Sequence, residues 1–142
     1  MKLLLISANA GAGHIRAAAA LEEAARELHP KAEVRNVDIL SFTDPIYRRA
    51  YANSWLKMAD NAPALWGYIY SSSDAAKAKK KQAAVIRAFD RIEFRKFRRF
   101  VADFAPDVVL CTHFLPGQVL ATSRKEPWGR FRFGCVLTDF DA

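Results

Sequence analysis

The chain has 142 residues, 51% hydrophobic and 26% charged, enough for one domain with a real core, too little for two and too apolar for a disordered chain. No apolar run approaches the roughly 20 residues of a membrane span, and Met1-Lys2 followed by a few apolar residues lacks the length and cleavage site of a signal peptide. The net charge of +7 is concentrated: residues 74–100 hold ten Lys/Arg against three Asp/Glu, while the rest of the chain holds twelve of each.

The first element spans Met1 to Leu21. Leu3-Leu4-Leu5-Ile6 is a short continuous apolar run, the pattern of a strand buried on both faces of a parallel sheet. Ser7-Ala8-Asn9-Ala10-Gly11-Ala12-Gly13 supplies only small residues, and His14 opens an Ala-rich segment of high helix propensity. A strand, a small-residue loop and a helix N-terminus together favour negative charge through backbone N–H groups and the helix dipole. Gly11 and Gly13 permit a sharp turn and a close approach. His14 stands at the mouth of that loop as either a proton acceptor or a structural histidine. There is no G-x-x-x-x-G-K-[ST] and no third glycine for G-x-G-x-x-G, so a P-loop is excluded and a nicotinamide fingerprint is poorly supported.

Glu33 to Leu40 alternates and then turns apolar, which predicts the second strand. Asp38 at its end is a helix cap or loop acid, or alternatively a ribose-binding acid. Residues 45–70 are aromatic-rich and irregular, with Pro45 as a helix start. Their apolar side chains form either a face for acyl chains or helices covering the sheet. A long helix is predicted from Lys77 to Phe104, with Ile86, Phe89, Glu93, Phe97, Phe100 and Phe104 near one face. Its C-terminal part is expected to pack on the sheet, while Lys77, Lys79, Lys80 and Lys81 meet an anionic membrane surface.

Pro106 stops that helix, and Val108 to Thr112 is a buried strand with His113 at its carboxyl end. Gln118 to Lys125 suits a short helix, and Arg132 to Thr138 is the last strand, bringing Asp139 to the same edge. Ligands bind open parallel sheets at the carboxyl ends of their strands, so His14 and His113 border one cleft unless His113 is held by nearby backbone. Cys111 and Cys135 have no metal-type spacing and read as buried thiols without a disulfide.

The segment Ser7-Ala8-x-x-Gly11-x-Gly13-His14-x-x-Ala17-Ala18-x-Ala20-Leu21 resembles the opening of the diacylglycerol glycosyltransferases. These are the monogalactosyl- and glucosyl-diacylglycerol synthases, distant relatives of the lipid-linked glucosaminyltransferase of peptidoglycan synthesis. Asp107 to Pro116 is similar to the family's strand ending in Thr-His, and Val136 to Asp141 to its Thr-Asp segment. The family's next His and Trp would fall beyond Ala142.

The resemblance implies an α/β, Rossmann-like parallel sheet with helices on both faces, the N-terminal acceptor-binding half of a GT-B enzyme. Residues 1–142 would be that domain, truncated before a C-terminal donor-binding domain. The implied reaction is inverting transfer of a hexose from a UDP-sugar to diacylglycerol, with His14 as the catalytic base. Gly11, Gly13, His113 and Asp139 are the expected acceptor-binding residues. No metal or cofactor is expected, the UDP-sugar being a substrate held mainly by the other domain. The expected location is cytoplasmic, peripheral on the inner face of the membrane, and 142 residues alone should not turn over substrate. The alternative is a basic Rossmann-like module that binds lipid or nucleic acid without catalysis. No nucleic-acid-binding signature accompanies the charge, so nucleic acid is not the expected partner.

Overall fold

Among the described residues four parallel strands form one sheet: β1 (Lys2–Ser7), β2 (Glu33–Asp38), β3 (Val108–Cys111) and β4 (Arg132–Cys135), in the order β2-β1-β3-β4. The computed structural model describes residues 1–51, 53, 92–121, 126 and 129–138. The predicted contacts of Lys77, Lys79, Lys80 and Lys81 and the site role of Asp139 lie outside those residues.

The run Leu3 to Ile6 is apolar throughout because both faces of β1 are covered. Leu4 and Ile6 point with Val109 and Cys111 into one core layer, while Leu3 and Leu5 meet Val34, Leu21 and Ala25 in the other. Helix α1 (Ala12–Leu28) covers the second layer. Helices α2 (Arg95–Phe104) and α3 (Phe114–Ala121) contribute Phe97, Val101, Phe104, Leu115, Val119 and Leu120 to the first. This is the arrangement that right-handed crossovers produce when the chain winds one way from β1 and the other way from β3. The fold is α/β and Rossmann-like with helices on both faces, as the resemblance implies.

Phe97, Val101 and Phe104 lie at helical spacing on α2, and Phe94 just before it is fully buried. These phenylalanines are the core stripe of a crossover helix. Phe42 adds to it, its ring centroid 5.5 Å from Phe97 and 5.1 Å from Phe100. The helix ends with Ala105 in the left-handed region (φ 50°) before Pro106, and Lys2 Nζ donates to the Phe104 carbonyl at 3.1 Å.

Asp38 is a structural acid. One carboxylate oxygen accepts the Leu40 N–H at 3.0 Å, capping a short 3-10 turn (Ile39–Phe42), and the Asn9 N–H at 3.1 Å, pinning the loop after β1. Asp44 caps the helical residues 45–51 through Ile46 N–H at 2.8 Å, with Pro45 in the first turn, and its own N–H donates to Glu93 at 2.6 Å.

Some boundaries and one burial differ from the expectation. β2 ends at Asp38 rather than Leu40. The helix after β3 begins at Phe114 rather than Gln118, because Pro116 sits in the first turn, where its missing N–H has no helical partner to lose. β4 ends at Cys135 rather than Thr138, although the Val136 N–H still donates to Cys111 O at 2.8 Å. Cys135 is exposed, because β4 is the last strand of the described sheet, whereas Cys111 is buried and both thiols are free. Burial, with the neighbouring Cys135 thiol adding to it, pushes the Cys111 thiol well above its usual range.

Candidate functional site

The winding direction reverses between β1 and β3, so the crevice beyond their carboxyl ends is the switch point of the sheet. Burial of polar groups marks the same place. Of the five buried polar side chains among the described residues, Ser7, His14, Thr112 and His113 lie at this edge; Thr43 is the fifth.

His14 comes from the first turn of α1 and is 4% exposed. Its Nδ1 lies 2.7 Å from the Thr112 carbonyl oxygen and 2.6 Å from Thr138 Oγ1. The Thr138 hydroxyl reaches the same carbonyl at 3.1 Å. Thr112 Oγ1 donates to the His14 carbonyl at 2.8 Å, and the Thr112 N–H donates to Ile6 O at 3.0 Å. Thus the ends of β1 and β3, the segment after β4 and the start of α1 are joined through one histidine. A carbonyl oxygen has no proton to give, so Nδ1 is the donor to Thr112 and, in the neutral ring, Nε2 carries the lone pair.

His113 does two things. Its Nδ1 accepts the Leu115 N–H at 3.0 Å, the backbone role considered from the sequence. Its ring also meets His14 edge-on at a centroid distance of 4.5 Å and stacks on Phe114 at 4.5 Å. The Tyr51 ring lies 6.3 Å from that of His113, centroid to centroid, and stacks with Tyr47 at 6.0 Å. Burial, with Tyr47 adding to it, pushes the Tyr51 phenol above its usual range.

Gly11 precedes α1 at φ 152° and ψ 146°, a conformation that suits glycine almost alone. A Cβ there would stand 3.9 Å from His14 Cδ2, the atom bonded to Nε2, so the loop backbone runs close to that edge of the ring. A Cβ on Gly13 would meet nothing within 4 Å. The first turn of α1 carries neither an acidic residue nor a side-chain cap. Three exposed apolar residues flank the site in the chain: Ile15 beside His14, Phe114 beside His113 and Leu137 beside Thr138. A separate cleft of about 400 Å³ is lined by Pro45, Ile46, Arg49, Ala50 and Asn53.

The profile of one protein family, monogalactosyldiacylglycerol (MGDG) synthase, matches residues 14–142, from His14 to the last residue given. The chain belongs to that family. No curated protein and no solved structure matches it. The MGDG synthase match covers the three motifs from His14 onward, including the Thr-His and Thr-Asp stretches. In this member of the MGDG synthase family the structure brings together Gly11, His14 and His113, with Gly13 on the open side of the α1 start. Among the described residues no three His, Cys, Asp or Glu side chains converge as metal ligands, and no helix is long and apolar enough to cross a membrane.

Thr112 and Thr138 were not assigned roles from the sequence. The signal for them was nonetheless present: each hydroxyl lies just past the carboxyl end of one of two adjacent strands, where side chains converge on the crevice.

Proposed function

We propose that the chain is the acceptor-binding half of a GT-B glycolipid synthase that transfers a hexose from a UDP-sugar to diacylglycerol with inversion. The observation that carries the reading is the 2.7 Å contact between His14 Nδ1 and the Thr112 carbonyl oxygen. The histidine's Nδ1–H is committed to the Thr112 carbonyl, so Nε2 is the basic atom, at the switch-point crevice of an MGDG synthase family member.

A hydroxyl is a weak nucleophile, and a base within hydrogen-bond reach must take its proton as the new bond forms. In the proposed step the acceptor O–H gives its proton to His14 Nε2. Its oxygen attacks the anomeric carbon from the face opposite the diphosphate, and the carbon–oxygen bond to UDP breaks with its electron pair leaving on the diphosphate. The imidazolium so formed is held by the two oxygens at Nδ1. Gly11 and Gly13 leave the acceptor room beside the ring, and His113 fixes the second wall. Ile15, Phe114 and Leu137 give the rim the apolar character that an amphiphilic acceptor needs. The donor belongs to a C-terminal domain, and no metal or cofactor is required of these residues. The enzyme acts as a peripheral protein on the cytoplasmic face of an anionic membrane, with Lys77, Lys79, Lys80 and Lys81 as its contact.

The test joins this chain to a donor-binding domain and follows transfer from labelled UDP-glucose and UDP-galactose to diacylglycerol, with His14→Ala alongside. Glycolipid that disappears in the variant is the expected result. Activity that survives keeps the enzyme and removes the base; no glycolipid from either donor, with tight salt-sensitive nucleic-acid binding, overturns the reading.

A further inference from the structure

We propose that Thr138 is a positioning residue for His14: its hydroxyl holds the imidazole between two oxygens and shares the charge that develops when Nε2 takes a proton. The inference rests on the reading of His14 as the base.

The Thr112 carbonyl and the Thr138 hydroxyl beside Nδ1 are compatible with one arrangement of hydrogens. Thr112 O accepts and cannot donate, so Nδ1 carries a proton. Thr138 Oγ1 at 2.6 Å therefore accepts from the same N–H, and its own hydrogen is free to donate to Thr112 O at 3.1 Å. The reverse arrangement, with Thr138 donating to a bare Nδ1, would set the nitrogen lone pair against the carbonyl oxygen at 2.7 Å. The three atoms form a closed triangle in which each donor has an acceptor.

In the ground state this triangle fixes ring orientation. When Nε2 accepts a proton the ring becomes cationic, and its bonds to both oxygens become charge-assisted, roughly twice as strong as neutral ones. A group whose interaction strengthens only as charge develops lowers the barrier rather than the ground state. Thr138 therefore acts on turnover more than on acceptor affinity. Its position matters as well. It comes from the segment leaving β4, 124 residues from His14 in sequence, so it links the base to the strand farthest from β2 in the sheet.

The experiment compares Thr138→Val, which keeps the shape and removes the hydroxyl, with Thr138→Ser, which keeps the hydroxyl, in the chain joined to a donor-binding domain. The expected result for Val is a kcat lower by about tenfold (~1.4 kcal/mol), with acceptor KM changed by less than about twofold, and near-complete recovery in Ser. If the Val variant does not fold, Thr138→Ala is expected to show the same kcat loss. Wild-type kcat in the Val variant while His14→Ala is inactive overturns the role of Thr138 and leaves the base standing. Full activity in His14→Ala removes the base and this inference with it. Equal losses in Val and Ser, or a loss confined to KM, overturn it in favour of packing. Nitrogen NMR of histidine-labelled protein adds a direct readout: a neutral His14 protonated at Nδ1 is expected, and one protonated at Nε2 would refute the triangle.

Discussion

The two glycines of the small-residue loop are expected to respond to alanine in opposite directions. At Gly11 a Cβ would find ordinary space, 3.9 Å from His14 Cδ2, so no clash contributes. The cost is backbone strain alone: φ 152° with ψ 146° is a region that L side chains rarely enter, and forcing a residue there costs about 1–3 kcal/mol. At roughly 3 °C per kcal/mol for a chain of this size, Gly11→Ala should melt about 3–9 °C lower. Gly13 lies within α1, and a Cβ there meets nothing within 4 Å. Removing glycine's extra backbone freedom from a helix then stabilises by about 0.5 kcal/mol. Urea unfolding followed by circular dichroism measures both, and the midpoint should move with the slope unchanged. A Gly11→Ala variant within about 0.5 kcal/mol of wild type, or two variants shifted the same way by the same amount, would refute the reasoning. Gly13→Ala has a second readout, since a methyl in that open space should raise acceptor KM while stability rises.

Three further outcomes are expected. Glu22, on α1, accepts from Arg26 at 2.7 Å and from Asn36 of β2 at 2.9 Å, and these two bonds hold its carboxyl below the usual carboxylate range. A depressed folded-state pKa gives stability that is present above the unfolded value and lost as pH falls through the folded one. Glu22→Gln should therefore be about 0.5 kcal/mol less stable than wild type at pH 7, with the two urea midpoints converging in acid below the ordinary carboxylate pKa. Cys135 should react with a thiol reagent in the native state while Cys111 waits for unfolding; simultaneous labelling of both would contradict the burial of Cys111. Reversing charge at Lys77, Lys79, Lys80 and Lys81 to Glu should weaken sedimentation with anionic vesicles, and unchanged binding would remove them as the membrane contact.

How much of this was legible in the sequence depended on the range of the interaction. Elements set by local patterns could be read directly. Leu3 to Ile6 and Val108 to Cys111 are strands because continuous apolar runs need two covered faces. Phe97 and Phe104 fall on the core side of their helix because their spacing matches one face, whereas Val101, buried between them, was not among the expected residues. The small-residue loop opens α1, and His14 and His113 meet because both follow strands that are neighbours in a doubly wound sheet. Boundaries decided by geometry were less legible: Pro116 reads as a helix breaker unless its first-turn position is known. The environment of Cys135 depended on which strand lies at the end of the sheet. Least legible were the groups that orient His14. Thr112 lies 98 residues away and Thr138 lies 124 away, and only strand pairing brings them to one nitrogen.

The oxygen that fixes the tautomer of His14 belongs to the main chain, and this has a consequence for how such a site can drift over evolutionary time. Where a carboxylate orients a histidine, one substitution deletes the partner. Here every amino acid that position 112 could hold supplies the same carbonyl, and its placement is inherited with the pairing of β3 against β1. Side chains around the ring can be exchanged while the proton stays on Nδ1. In diverged chains of this architecture, the durable mark of the site is therefore a histidine one short loop after the first strand together with the pairing of that strand, rather than a second acidic residue.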